Sequence, residues 1–175
     1  LAVDASPRVA LAFHKPPVSS DDDIALSVLE NVLSSGRTSR LYRRLVQERK
    51  VAVSASASCA PAKYSSLFII HAVPRRPHTV DDVARAVRGE LDALAAEPVS
   101  EWELGKARNQ IEADFVRGLE SASELASVVG TYEAIDRWDY VNRYIPRVRA
   151  VTAADLGRVA RAYLTEEKCT TVAIQ

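Results

Sequence analysis

The sequence predicts an α+β domain, in which a mixed, mainly antiparallel sheet is packed by several helices. Three observations carry that expectation. Residues 51–58 and 67–73 have strand patterning and are joined by a turn at Pro61-Ala62-Lys63, as in an antiparallel hairpin. Strand-like segments also stand near both ends of the chain, at residues 9–14 and 169–174. The stretches between have helical period and no regular strand–helix alternation.

Each element has its local reasons. The first strand, Val9 to His14, is stopped by Pro16-Pro17. Ser19-Ser20 and Asp21-Asp22-Asp23 then suit a helix N-terminus, the serine as a cap and the acids against the helix dipole. Ile24, Val28 and Val32 recur every four residues beside Ala25, Leu29 and Leu33, giving this helix a broad buried face. Gly36 is placed to end it in a left-handed conformation. A second helix is expected from about Thr38 to Arg49, with Leu41 and Leu45 inward.

The period changes to two at Val51, where small residues alternate through Ser58; residues 67–73 follow as a strand apolar on both faces. Thr79 with Asp82, Ser100 with Glu103 and Thr152 with Asp155 are capping boxes that open three helices. The first of these carries Val80, Val83, Val87, Leu91 and Leu94 and ends before Pro98. The second carries Leu104, Ile111, Phe115 and Leu119. The third carries Leu156, Val159 and Tyr163. Two more are expected around Leu125–Tyr132 and Val141–Val148, with Pro146 bending or starting the latter. Nothing divides the chain, so residues 1–175 are expected to form one domain.

A length of 175 residues with 47% hydrophobic and 26% charged side chains fits a globular chain with a substantial core. Lys+Arg and Asp+Glu both number 23, which gives no reason to expect a nucleic-acid partner. No apolar run approaches the ~20 residues that span a bilayer. The chain starts at Leu1, holds no Met and shows no targeting signal, so it reads as a piece of a longer precursor. Cys59 and Cys169 fit neither a disulfide framework nor a metal knuckle and are expected as buried free thiols.

Catalytic chemistry is hard to place. A zinc hydrolase needs two histidines one helical turn apart, a third ligand and a glutamate to activate water. His14, His71 and His78 are not so spaced, and none belongs to an H-x-x-E-H. There is no G-x-S-x-G, G-x-G-x-x-G or Walker-type loop. Glu30 reads as a lone charge on an exposed helix edge. The basic run of Arg37, Arg40, Arg43, Arg44, Arg49 and Lys50 reads as a solvated helix face or an interdomain contact surface rather than a nucleic-acid site.

The segment Leu33-Ser34-Ser35-Gly36-Arg37-Thr38-Ser39-Arg40-Leu41-Tyr42 resembles the helix–Gly–Ser-Arg-Leu-Tyr element of C-terminal domains in insulinase/pitrilysin-type zinc metallopeptidases. Leu45 to Ser54 resembles that family's passage from second helix to strand, and Val151 to Leu164 resembles its last helix. Three motifs in order extend the resemblance from about Arg8 to Gln175.

The resemblance implies a non-catalytic, C-terminal-type domain of a longer two-domain chain, forming part of a peptide-binding chamber. It implies no cofactor in this chain, with zinc held by the other domain of the parent protein. The implied partners are that N-terminal zinc-bearing domain and unfolded peptides, and bacterial members favour an exported or periplasmic location. Many inactive domains of the family carry an arginine seven residues before a tyrosine, a substrate clamp. The matching positions here are Val46 and Val53, which cannot donate such hydrogen bonds. A partner subunit carrying the Arg/Tyr pair is therefore implied, and Arg37, Arg40 and Tyr42 are the expected interdomain contacts. The same fold resembles core subunits of respiratory complexes, so a structural or assembly role is the alternative.

Overall fold

The computed structural model describes residues 6–174; Leu1 and Gln175, the ends of the expected domain, lie outside the described residues. Strand β1 (Arg8–Lys15) leads into helix α1 (Asp21–Ser34) and a π-helical segment (Tyr42–Glu48). The hairpin β2 (Ala52–Ser58) and β3 (Ser66–Pro74) follows. Then come α2 (Val80–Ala96), α3 (Glu101–Arg117), α4 (Ala122–Ile135), α5 (Tyr140–Ala150) and α6 (Ala153–Tyr163), a short 3₁₀ turn and β4 (Cys169–Ile174).

Four strands form one sheet in the order β2-β3-β1-β4, and each of its three pairings is antiparallel. Val9, Leu11 and Phe13 of β1 stand opposite Ala72, Ile70 and Phe68 of β3, and all six are buried. Side chains alternate along a strand, so these six line one face. The helices cover that face, with Ile24, Leu29, Val83, Val87, Leu156 and Val159 among the core residues. The other face has no helix over it among the described residues. The apolar second side of β3 is therefore partly open, with Leu67 at 40% exposure.

The local signals act as the sequence indicates. Ser20 accepts from the Asp22 amide at the start of α1, and Gly36 adopts φ +77° just past its end. The three expected capping boxes form, and Ser121 with Glu124 adds a fourth at α4. The second helix departs from expectation. Most of it is a π-helix, closed by a bond from the Arg49 amide to the Arg44 carbonyl. Its wider turn lets Leu41, Leu45 and Val46 all face the core. The chain leaves through Lys50 at φ +53°, a conformation that L-residues adopt at a cost of about 1 kcal/mol. Pro146 falls inside α5 and not at its start.

One buried ion pair fastens the first strand to the first helix. Lys15, the last residue of β1, bonds through its ammonium to the Asp23 carboxylate in the first turn of α1, and both side chains are almost fully buried. Burial pushes the Asp23 carboxyl up, and the Lys15 ammonium opposes that rise. Removing one partner strands the other charge in the core. Asp23→Asn is expected to lower the free energy of urea unfolding by about 3 kcal/mol. The double change Lys15→Met with Asp23→Leu should recover most of that loss. Equal losses in the single and double variants would refute the pair's role.

Candidate functional site

The half-exposed flank of α1 is the part of this domain where chemistry-bearing side chains converge. Ser27, Glu30, Asn31 and Ser34 recur at helical spacing along it and face the end of β2. The Ser27 hydroxyl lies 3.8 Å from the Cys59 sulfur, and the Ser34 hydroxyl donates to the Ala57 carbonyl at 3.3 Å. Asn31 donates through Nδ2 to the Ser27 carbonyl at 3.3 Å.

Glu30 is not the exposed edge charge that the sequence reading expected. It is partly buried, and desolvation pushes its carboxyl up to about 7. Its charge in turn raises the Tyr144 hydroxyl of α5 and the Cys59 thiol. The Cys59 thiol, pushed up to about 12 mainly by burial, is held protonated and unreactive. Cys59 and Cys169 are free but half-buried, less enclosed than expected.

No histidine stands three residues before or one residue after Glu30, where Ser27 and Asn31 are found. A hydroxyl and a carboxamide are poor zinc ligands, so this donor set does not fit the metal.

The three histidines do not converge. His14 and His71 project from the open face of the sheet, with His71 opposite Ala10, four residues along β1 from His14. That separation is about 13 Å, too far for one metal ion. His78 sits in the loop before α2. Among the described residues no group of three His, Cys, Asp or Glu is placed to hold a metal.

Four of the six basic residues of the run are paired inside the domain. Arg40, 8% exposed, forks onto Glu103 of α3 with bonds of 2.8 and 2.9 Å. It also donates to the Glu97 and Pro98 carbonyls just past the end of α2. Arg44 meets Glu97 at 2.8 Å, and Arg49 meets the buried Glu90 at 3.0 Å. Of the expected contact residues, Arg40 is thus engaged within its own domain, while Arg37 is exposed and Tyr42 half-buried. Val46 packs in the core at 8% exposure. Val53 stands out at 56%, as the extra residue where the β2–β3 register shifts. Their side chains share no surface that could hold a peptide.

The family described as Peptidase M16 inactive domain matches residues 2–111. The chain is similar to the zinc protease PqqE of Helicobacter pylori, 26% identical over 164 residues, which are 94% of this chain and 37% of that protein. It is similar to human cytochrome b-c1 complex subunit 2, 22% identical over 175 residues, which are 94% of this chain and 38% of that one. Among solved structures, an inactive peptidase domain from Bordetella parapertussis superposes with a TM-score of 0.89 at 22% identity, covering 98% of this chain and 91% of that one. The chain therefore spans under two-fifths of the curated relatives' length and nearly all of the solved domain.

Two carboxylates make opposite pH predictions. The Arg40 guanidinium holds Glu103 at about 2, below its usual 4.5. The stabilisation from this pair is complete above about pH 4.5 and is lost as pH falls toward 2. Arg40→Met should cost about 3 kcal/mol at neutral pH, and much less near pH 2, by chemical denaturation. Glu30 has the reverse sign, because the folded state holds its proton more tightly. Stability from this group falls as pH rises from about 4.5 through about 7. Glu30→Gln should therefore raise the melting temperature more at about pH 8 than at about pH 5. A constant gain across that range would show that Glu30 is not desolvated.

Proposed function

Because this chain belongs to the Peptidase M16 inactive-domain family, we propose that it is the metal-free partner of a zinc-bearing domain in a longer peptidase chain, shaping a chamber for unfolded peptides. The observation that carries the reading is the match to the inactive-domain family, beside three histidines that the fold keeps apart. Zinc and the hydrolytic step then belong to the other domain, and this one contributes surface and positioning. The name of the Helicobacter relative and the length it has beyond the match support a second, catalytic domain. The Arg/Tyr clamp that Val46 and Val53 do not provide would come from a partner subunit. Exposed Arg37 and half-buried Tyr42 mark the surface offered to the neighbouring domain, and Arg40 supports it from within.

The similarity to a cytochrome b-c1 complex subunit favours a second reading, a scaffold with no peptidase partner. An H-x-x-E-H elsewhere in the parent polypeptide separates the two readings, since a zinc peptidase requires it and a scaffold does not.

The purified chain is expected to retain only substoichiometric zinc by elemental analysis and to leave a fluorogenic unfolded peptide uncut. The parent protein should cut it and lose that activity to a chelator. Stoichiometric zinc in the isolated chain overturns the proposal, as does a parent indifferent to chelation.

A further inference from the structure

The two edges of the sheet are built differently. At the β2 edge the register with β3 shifts between Ala52 and Ser54, leaving Val53 as a bulged residue. The Ala57 carbonyl there accepts from the Ser34 hydroxyl of α1 at 3.3 Å. Just before the strand, the Val51 amide bonds back to the Leu45 carbonyl of the π-helix at 3.0 Å. A bulge and neighbouring elements that engage the strand are means by which a sheet keeps an edge from pairing with another chain.

The β4 edge is left bare. Its register with β1 runs unbroken, from Phe13 opposite Cys169 to Arg8 opposite Ile174. Thr170 to Ile174 are all exposed, with Val172 at 58% and Ile174 at 40%. The strand holds no charged residue and no proline, the side chains that commonly guard an edge. Thr170, Thr171, Val172 and Ile174 are instead β-branched, the type that favours strand pairing. Among the described residues β1 is the one strand beside β4, so a row of its backbone N–H and C=O groups points outward.

We propose that this edge pairs antiparallel with the same edge of a second copy, joining two four-stranded sheets into one of eight strands. A strand of this composition is complementary to itself. With a twofold axis at Val172, that residue faces its own copy, Thr170 faces the partner's Ile174 and Thr171 the partner's Ala173. No like charges meet, and β-branched side chains oppose one another on the open face. That face already carries Ala10 and Arg8 beside Val172 and Ile174, so pairing makes the two open faces continuous. The chain has 23 basic and 23 acidic residues, so no net charge holds two copies apart. A contact one strand wide falls below the ~1,200 Å² of a tight complex and corresponds to a dissociation constant in the micromolar range. This pairing does not depend on the peptidase reading above, since it needs only the edge of the sheet.

Sedimentation equilibrium of the 175-residue chain, from about 1 to 300 μM, should show a monomer–dimer equilibrium with a dissociation constant of about 10–100 μM. Val172→Lys sets two ammonium groups against each other at the axis and should weaken the dimer about tenfold or more, as should Val172→Glu. An equimolar mixture of the two variants should associate again, because lysine then faces glutamate. The Val172 side chain is mostly in solvent, so both variants should melt with the native chain at low concentration. A chain that stays monomeric across the range overturns the proposal. If an unstructured peptide then protects the Thr170–Ile174 amides from hydrogen exchange, the edge belongs to extended peptides instead. A dimer indifferent to Val172→Lys overturns it by placing the contact elsewhere, and a mixture that stays monomeric overturns it by excluding the twofold at Val172.

Discussion

Arg40 and Glu103 form the joint on which the helical layer turns. The arginine leaves the segment between α1 and the π-helix and reaches across to the corner between α2 and α3. There its guanidinium grips the Glu103 carboxylate at two points and two carbonyls of the α2–α3 connection, Glu97 and Pro98, at two more. Glu103 is at the same time the third residue of α3, where it accepts from the Ser100 amide and hydroxyl at 2.9 Å. One acid thus starts a helix and closes an ion pair, and one arginine satisfies two carbonyls of the turn between the helices. A lysine could supply the charge but not this planar fork. The joint sets the position of the π-helix, and through Leu45 and Val46 the start of β2.

The sheet follows from that arrangement. The helices are gathered on one side, so the sheet is a wall with one packed face and one open face. Helix α4 extends the same asymmetry: it buries none of its residues, and Leu125 at its N-terminal end is 43% exposed. Its hold on the domain comes from its other end, where Tyr132 stacks on the buried Tyr140 at 4.1 Å. Arg147 lies over the Tyr140 ring and bonds to Asp21 at 2.9 Å, tying α5 to the start of α1. The tyrosine stack therefore joins α4 to α5, and Arg147 carries that link to α1.

The contrast between local and distant determinants explains what could be read in advance. Thr79, Ser100 and Thr152 act on amides three residues away, so their capping boxes were legible, and Gly36 needs only its own backbone to end α1. The α+β class followed from the same short-range signals. Strand order did not, because pairing β1 between β3 and β4 depends on contacts more than fifty residues apart. The π-helix was also hidden: Leu41 and Leu45 satisfy an α-helical period equally well, and the extra residue per turn shows only through Val46. Arg40 was counted among surface charges because its acid is 63 residues away. The burial of Glu30 depends on the packing of α1 against distant elements such as β2 and α5, which no window around residue 30 contains.

That last residue bears on how folding and function divide in this domain. A carboxylate at about 7 without a cation makes the folded state less stable at neutral pH than a glutamine there would. Elsewhere the chain has solved this problem repeatedly, with arginines at Glu90, Glu97 and Glu103. Its basic residues are as numerous as its acidic ones, 23 of each, so a shortage of cations is not the cause. The unpaired Glu30 is thus a cost that the fold carries and that its arginines do not relieve.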